Sequence, residues 1–468
     1  MTDFSIPGST LRQTAAALRD GRVSATALMA EATSAYKSHH RANNTYKTWD
    51  GDRAAETADI VDRMIANGRD AGPLMGVPIS IKDIFGVPGM PIYAGSSRQL
   101  PADWEQAGPM VMAVLQQMAP ITGKTHSVEF AFGGLGTNSH WGTPRNPWDG
   151  EQHRVPGGSS AGAGVSLIEG SAMLAFGTDT AGSVRVPASM TGVAGLKTTS
   201  GRWSTAGIVP LSSTLDTPGL LARSVDDLAF AYDAIDGALS PRSMSVMSPP
   251  LISDLRLGVP EQYFFDDCSP GVAEGVRAAI GRLEQAGARI VTLDLPRCDE
   301  AFDMFKLGAL SACELAAFLR GHLPEWLDIL DPNVRHRVDG ADQVSSWEYV
   351  RRREILNSMA RDADAAIADV DAVLTPTVAS TPPTVDSLAE EGAYPRANML
   401  ALRNTAIGNL MTLAAVTMPV GKDGADMPIG LQLLGRAWSE PRLLAVAQSI
   451  EGLLGRADTV LGVPPAYG

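Results

Sequence analysis

Apolar positions recur at helical spacing near the N-terminus. Ser24 precedes a run in which Leu28, Ala32, Ala35 and Tyr36 fall on one face, so a helix capped by Ser24 is predicted. Ahead of it, Thr10 and Gln13 have capping-box spacing and Gly21 offers a stop. From residue 255 to 295 the pattern changes twice. Residues 255–259 form a short apolar strand. Residues 270–286 put Val272, Val276, Ile280 and Leu283 on one helical side, with Gly287 as a stop, and residues 289–295 form a second strand. Such a β-α-β unit favours parallel pairing under a covering helix. Ser345 and Glu348 cap a long charged helix running toward Ala368, residues 372–374 read as a strand, and Ser439 starts a last helix bearing Leu443, Leu444, Ala447, Ile450 and Leu453. With no internal repeat and no long linker, one α/β domain over residues 1–468 is predicted. Its central β-sheet is expected to be large, mixed and mainly parallel, covered by helices on both faces.

Residues 75–221 differ in character. They are rich in glycine, serine and threonine without being low in complexity, and short apolar runs such as 77–81 sit between turn residues. Composition changes the picture in three respects. Hydrophobic residues make up 44% and charged residues 19%, an ordinary globular balance. The formal net charge of −14 repels phosphate backbones, which argues against nucleic acid as a direct partner. The three cysteines, Cys268, Cys298 and Cys313, form no C-x-x-C pair, so free thiols are expected rather than a disulfide framework or a thiolate zinc site. The N-terminal MTDFSIPGST has no basic-then-apolar run, and the best apolar stretch, 165–176, is broken by Glu169 and glycines. A cytoplasmic protein with no membrane partner is expected.

Three clusters carry candidate chemistry. In GVPISIKD, residues 76–83, Lys82 ends an apolar strand-like run. Burying an ammonium is costly, and burial lowers a lysine's pKa toward that of a usable base, although a strand-end lysine can also snorkel to water. In VPGGSSAG, residues 155–162, glycines free the backbone for close approach and two serines supply hydroxyls. In GTDTAGSVR, residues 177–185, a small-residue loop ends in Ser183, where a nucleophile could stand beside backbone N–H donors. Taken alone, the first could be a snorkelling strand-end lysine and the other two glycine-rich connections. Together, with Lys82 77 residues before Ser159 and Ser159 24 before Ser183, they are far more specific.

This set resembles the amidase signature family, most densely over residues 74–226. The pieces GKT at 123–125, NPWD at 146–149, GVAGLK at 192–197, LTPT at 374–377 and PIGLQ at 428–432 are also similar to it. The resemblance implies Ser183 as nucleophile, Ser159 as a bridging serine after a cis peptide bond, and Lys82 as base. It implies an oxyanion hole from the amides of Thr180, Ala181, Gly182 and Ser183, with Asp179 and Arg185 as supporting polar residues. The implied activity is hydrolysis of a C–N bond in a small or medium amide through an acyl-enzyme, with water, no cofactor and no metal. A homodimer is common among such relatives. Ala161 and Ala181 stand where glycine is more usual, a variation similar to the branch with allophanate, biuret and carboxybiuret hydrolases, which points to urea-like or carbamate-like substrates.

Other patterns compete. GSSAG at 158–162 also fits a G-x-S-x-G nucleophile elbow centred on Ser160, but no strong strand feeds it. Gly123-Lys124-Thr125 ends like a P-loop, yet Met118 stands where the first glycine is required. His126 is expected to pack rather than act, and Arg351, Arg352 and Arg353 to lie on a solvated helix face. The pocket walls are expected around residues 129–138 and 302–349, with Phe130, Phe132, Trp326 and Trp347 as candidate aromatics. Two alternatives to a stand-alone hydrolase remain: a glutaminase component of a tRNA-dependent amidotransferase complex, and a scaffold that kept the fold without catalysis.

Overall fold

The computed structural model describes residues 5–240, 243–308 and 310–467. Eleven strands form one sheet. In chain order they are β1 (Tyr46–Trp49), β2 (Ile79–Lys82), β3 (Ile121–Thr125), β4 (Leu174–Asp179), β5 (Ala194–Lys197), β6 (Thr217–Ala222), β7 (Arg256–Pro260), β8 (Arg289–Leu293), β9 (Ala372–Pro376), β10 (Ala414–Lys422) and β11 (Pro428–Gly435). Across the sheet they run β1-β3-β2-β4-β6-β5-β10-β11-β9-β7-β8.

The large mixed sheet is as expected, but its balance of directions is not mainly parallel. Parallel pairing is confined to β3-β2-β4 on one flank and β9-β7-β8 on the other. The six pairings between and beside them are antiparallel. The β-α-β unit is real: β7 and β8 pair in parallel and are joined through the helix Val272–Gln285. It describes one edge and does not represent the centre, where β10 and β11 form an antiparallel ladder from Ala414↔Gly435 to Lys422↔Pro428.

Helices bury both faces of the sheet. Side chains alternate across a strand, and β4 shows the consequence. Ala175, with Leu221 of β6, packs against Ala163 and Leu167 of the helix Ala161–Ile168, and against Val184 and Ala188, which precede and lie within the helix Arg185–Thr191. Leu174, Phe176 and Leu220 join the other core, which includes Leu228 and Tyr232 of the helix Val225–Leu239. Three of the predicted helix starts carry side-chain caps, while Ser439 precedes the last helix, Glu440–Leu454, without a side-chain cap bond. Thr10 and Gln13 form a reciprocal capping box, and Ser24 and Ser345 accept from Ala27 N and Glu348 N. No helix among the described residues is long and apolar enough to cross a membrane.

What this framework does for the site is set by β2 and β4. They run parallel in the register Ile79↔Leu174, Ser80↔Ala175, Ile81↔Phe176, so Lys82, Thr178 and Asp179 emerge at the same end of the sheet.

Candidate functional site

Lys82 closes β2 and is fully buried. Its Nζ lies 2.7 Å from Ser159 Oγ and 3.0 Å from Thr178 Oγ1. Burial drives the amine down to about 7, while the carboxylates of Asp216 and Asp179 pull it up. An amine with that value spends a large fraction of its time neutral near pH 7, with a lone pair available.

Ser159 is fully buried on the loop that leads into the helix Ala161–Ile168, and the Gly158–Ser159 peptide bond is cis. The loop is pinned on both sides of that bond: Gly158 N donates to Gly134 O at 2.8 Å, and Val128 N to Ser159 O at 3.1 Å. Ser160 N donates to Ser183 O at 3.2 Å and joins this loop to the one after β4. No hydrogen bond links the Ser159 and Ser183 side chains among the described residues.

The loop carrying Ser183 is built around a buried ion pair. Asp179, the last residue of β4, meets Arg185 in two contacts, Oδ2 with Nε at 3.0 Å and Oδ1 with Nη2 at 2.9 Å, both residues being 0% exposed. Burial alone would push the Asp179 carboxyl up; the Arg185 guanidinium outweighs it, with help from Lys197 and Asn409, and holds it at about 2. Asp179 also accepts Gly182 N at 2.7 Å and Val184 N at 3.2 Å, wrapping the loop about itself. Arg185 directs its other donors to Gln432 Oε1 and Asn409 Oδ1, both at 2.6 Å. Gly182 has φ +135°, and a Cβ there would lie 2.1 Å from Thr405 Oγ1, which donates to Ala181 O at 2.7 Å.

These bonds divide the four amides named above. That of Gly182 is engaged by Asp179 and shapes the loop. The amides of Thr180, Ala181 and Ser183 have no hydrogen-bond partner among the described residues. Thr180, Ala181 and Ser183 themselves line a cavity of about 510 Å³. Ala181 does not require a positive φ, so its methyl is accommodated and stands in the cavity wall.

The walls come partly from the expected segments. Phe132 contributes from one, and Phe305 and His336 from the other. Tyr394 and Leu402, on the helix Ala393–Leu410, add a wall that the sequence did not signal. Phe130 and Trp326 are core residues, 1% and 5% exposed, whereas Trp347 is 69% exposed and does not line the cavity. Ser160 is fully buried and does not line the cavity, which counts against the nucleophile-elbow reading. Lys124 is buried within β3 beside Asp83, 3.8 Å away, in place of a phosphate loop. His126 is buried, its Nε2 3.1 Å from Asn44 Oδ1, and burial with the nearby Lys47 lowers it to about 3.

The Amidase family profile matches residues 27–444. The chain belongs to the Amidase family. This amidase is 52% identical over 454 residues to 2-amino-5-chloromuconic acid deaminase of Comamonas testosteroni, covering 97% of this chain and 98% of that protein. It is 32% identical to a glutamyl-tRNA(Gln) amidotransferase subunit of Cupriavidus necator, over 95% and 96% of the two chains. A solved amidase structure superposes with a TM-score of 0.85 at 27% identity, covering 96% of this chain and 100% of the other. Hydrolysis at a C–N bond is the chemistry common to the amidases.

Thr178, Asp216, Thr405 and Asn409 are the residues around this candidate site that sequence reasoning missed. Asp216 accepts Thr180 Oγ1 at 2.5 Å together with the amides of Leu211 and Ser212, and burial pushes it up to about 6. Thr178 stood in the GTDTAGSVR cluster and faced, across parallel strands, a lysine already singled out. That pairing was the available signal. Asn409 and Thr405 each arrive from 224 residues beyond their partners Arg185 and Ala181, where nothing local marks them.

Proposed function

We propose that this amidase hydrolyses a C–N bond of a small substrate and releases ammonia, with Ser183 as nucleophile, Ser159 as relay and Lys82 as base. The supporting observation is a buried amine, poised at about 7, placed 2.7 Å from the Ser159 hydroxyl. A serine hydroxyl is a poor nucleophile until a base takes its proton. Neutral Lys82 takes the Ser159 proton as Ser159 takes that of Ser183, a transfer that calls for the two hydroxyls to turn toward each other. Ser183 Oγ then bonds to the carbonyl carbon. The oxyanion meets the free amides of Thr180, Ala181 and Ser183; one such donor is typically worth about 3 kcal/mol. The proton returns through Ser159 to the nitrogen, the C–N bond breaks, and ammonia leaves an acyl-enzyme. Water, deprotonated by the same pair, adds to the acyl carbon and restores Ser183.

The 52% identity to a deaminase favours an unsaturated amino acid of the aminomuconic type as the first substrate to try. There Ser183 Oγ would add to the carbon of the imine tautomer as its proton passes through the relay to nitrogen; the C–N bond would break with loss of a proton from the neighbouring carbon, leaving ammonia and a serine enol ether, and water would add to that carbon, giving the 2-oxo acid and restoring the Ser183 hydroxyl. The 32% identity to an amidotransferase component keeps glutamine as the competing substrate, one that would call for partner proteins.

The test is ammonia release by the purified chain alone, offered 2-amino-5-chloromuconic acid, primary amides, ureas, carbamates and glutamine. Release from a small molecule, abolished by Ser183→Ala, supports the proposal. Glutamine turnover only with added partners supports the second reading. A folded chain that neither releases ammonia nor is labelled at Ser183 by a fluorophosphonate would leave the scaffold reading standing.

A further inference from the structure

We infer that Arg337 anchors a carboxylate of the substrate, so that the cavity over Ser183 selects small organic anions. This deepens the proposed function and rests on it in one respect: the anion shares the cavity that Ser183 lines.

The first observation is a local reversal of charge. The chain has 52 Asp and Glu against 38 Lys and Arg. Its cavity wall nevertheless includes Lys306, His336 and Arg337 and no Asp or Glu. A concave site lined by one sign of charge concentrates ligands of the other sign. The three are not equivalent. Lys306 is exposed and its Nζ lies 2.6 Å from Asp303, which offsets its charge. His336 is exposed. Arg337 is half-buried and makes no ion pair among the described residues.

The second observation is how Arg337 is held. Its Nη1 donates to Phe132 O at 2.8 Å, and its Cζ stands 4.8 Å from the centroid of the Phe132 ring. Phe132 also lines the cavity, so the two contacts fix the guanidinium against the wall without using its remaining N–H groups. The mounting is tied down at both ends. Asp331 caps the helix Pro332–Gly340 by accepting Asn333 N at 2.8 Å, and its own amide donates to Glu129 Oε2 at 2.6 Å. Glu129 begins the short turn that leads to Phe132. The helix bearing Arg337 and the segment it stacks on therefore form one unit. A guanidinium with free donors, held in a fixed plane at the wall of a cavity without carboxylates, is the group that recognises a carboxylate by two parallel hydrogen bonds. An arginine present only to hold the Phe132 carbonyl would gain nothing from the absence of an acidic neighbour.

The experiment measures binding and so does not depend on turnover. Full-length Ser183→Ala protein is titrated calorimetrically with muconic acid, which lacks the amine and is inert, with C4 to C8 dicarboxylates, and with the neutral diamide of muconic acid. At least one dicarboxylate should bind. Adding Arg337→Gln should weaken that binding by roughly tenfold to a hundredfold, as expected for a charge-assisted contact. Arg337→Lys, which keeps the charge but not the fork, should fall between. The diamide should bind equally to all three proteins. Overturning results are failure of every dicarboxylate to bind, an unchanged affinity in Arg337→Gln, or an equal loss for the neutral diamide, which would make Arg337 a structural support. If wild-type enzyme releases no ammonia while the anion still binds through Arg337, the proposed function fails and this assignment survives.

Discussion

Thr178 Oγ1 stands 3.0 Å from Lys82 Nζ, across the two parallel strands that end at the site. With Ser159 Oγ on the other side at 2.7 Å, the amine lies between two hydroxyls. A neutral amine has two N–H donors and one lone pair. Donation to Thr178 leaves the lone pair to accept from Ser159, so Thr178 is cast as a positioning residue for the base. Thr178→Val keeps the shape and removes the acceptor. We expect kcat to fall about tenfold, the worth of one hydrogen bond of ~1 kcal/mol or slightly more, with KM and the melting temperature little changed. Steady-state kinetics check it; unchanged kcat would remove Thr178 from the site.

The three roles differ in what alanine should do. Ser183→Ala removes the atom that bonds to substrate, so turnover should disappear while the protein stays folded. Lys82→Ala removes base and proton donor together and should be nearly as damaging. Ser159→Ala breaks the relay and should cost several orders of magnitude. Rates should be measured beside far-ultraviolet circular dichroism and thermal melts, since all three side chains are buried. Full activity in any folded variant refutes the role given to that residue.

The pH profile should carry the mark of Lys82. Catalysis needs its neutral form, so kcat/KM should rise tenfold per pH unit on the acid side and level off above about 7, where burial places the amine. The Asp216 carboxylate pulls that value up, so Asp216→Asn should move the midpoint of the limb to lower pH. The readout is the midpoint, because Asp216 also holds Thr180 and a reduced rate is expected for that reason. Stability follows the same group. Folded Lys82 titrates near 7 and unfolded lysine near its ordinary value of 10.5, so between them the unfolded chain binds more protons. This contribution therefore becomes more favourable as pH rises from about 7 to 10.5. An acid limb unmoved by Asp216→Asn would contradict the coupling.

How far the sequence discloses this molecule depends on where the information lies. Caps are local chemistry, and Thr10, Ser24 and Ser345 announce their helices correctly. The β7–β8 unit has an amphipathic helix between short strands and is equally plain. The centre of the sheet is not. In β10 and β11 every residue from Ala414 to Met418 and from Pro428 to Gly435 is buried, so no polar-apolar alternation survives to mark a strand or its direction. That is why a sheet with six antiparallel pairings looked mainly parallel from its one legible unit. At the site, Lys82, Ser159 and Ser183 lie in glycine-rich clusters whose composition is itself a signal. Arg337 lies on an ordinary polar helix and becomes visible only when the cavity is seen to lack carboxylates.

The Asp179–Arg185 pair yields the sharpest stability prediction. Both residues are 0% exposed, and the pair is linked further to Gly182 N, Gln432 and Asn409. Removing one charge from such a pair leaves the other desolvated and uncompensated, typically at a cost of about 3–5 kcal/mol. Asp179→Asn keeps the size of the side chain, deprives Arg185 of its counter-charge and weakens the hold on the Gly182 amide. We expect a loss of that size in urea unfolding and a sharp fall in activity, since the loop presenting Ser183 loses its inner tie. Acid sensitivity supplies an independent check. Asp179 is held at about 2, below its ordinary value of 3.8, so its stabilisation is present above pH 3.8 and is lost as pH falls through about 2. Between those limits the wild type should lose stability faster with acid than Asp179→Asn does. A variant destabilised by less than about 1 kcal/mol, well under the range for a broken buried pair, would show that the network tolerates the loss and that the loop is held by its other contacts.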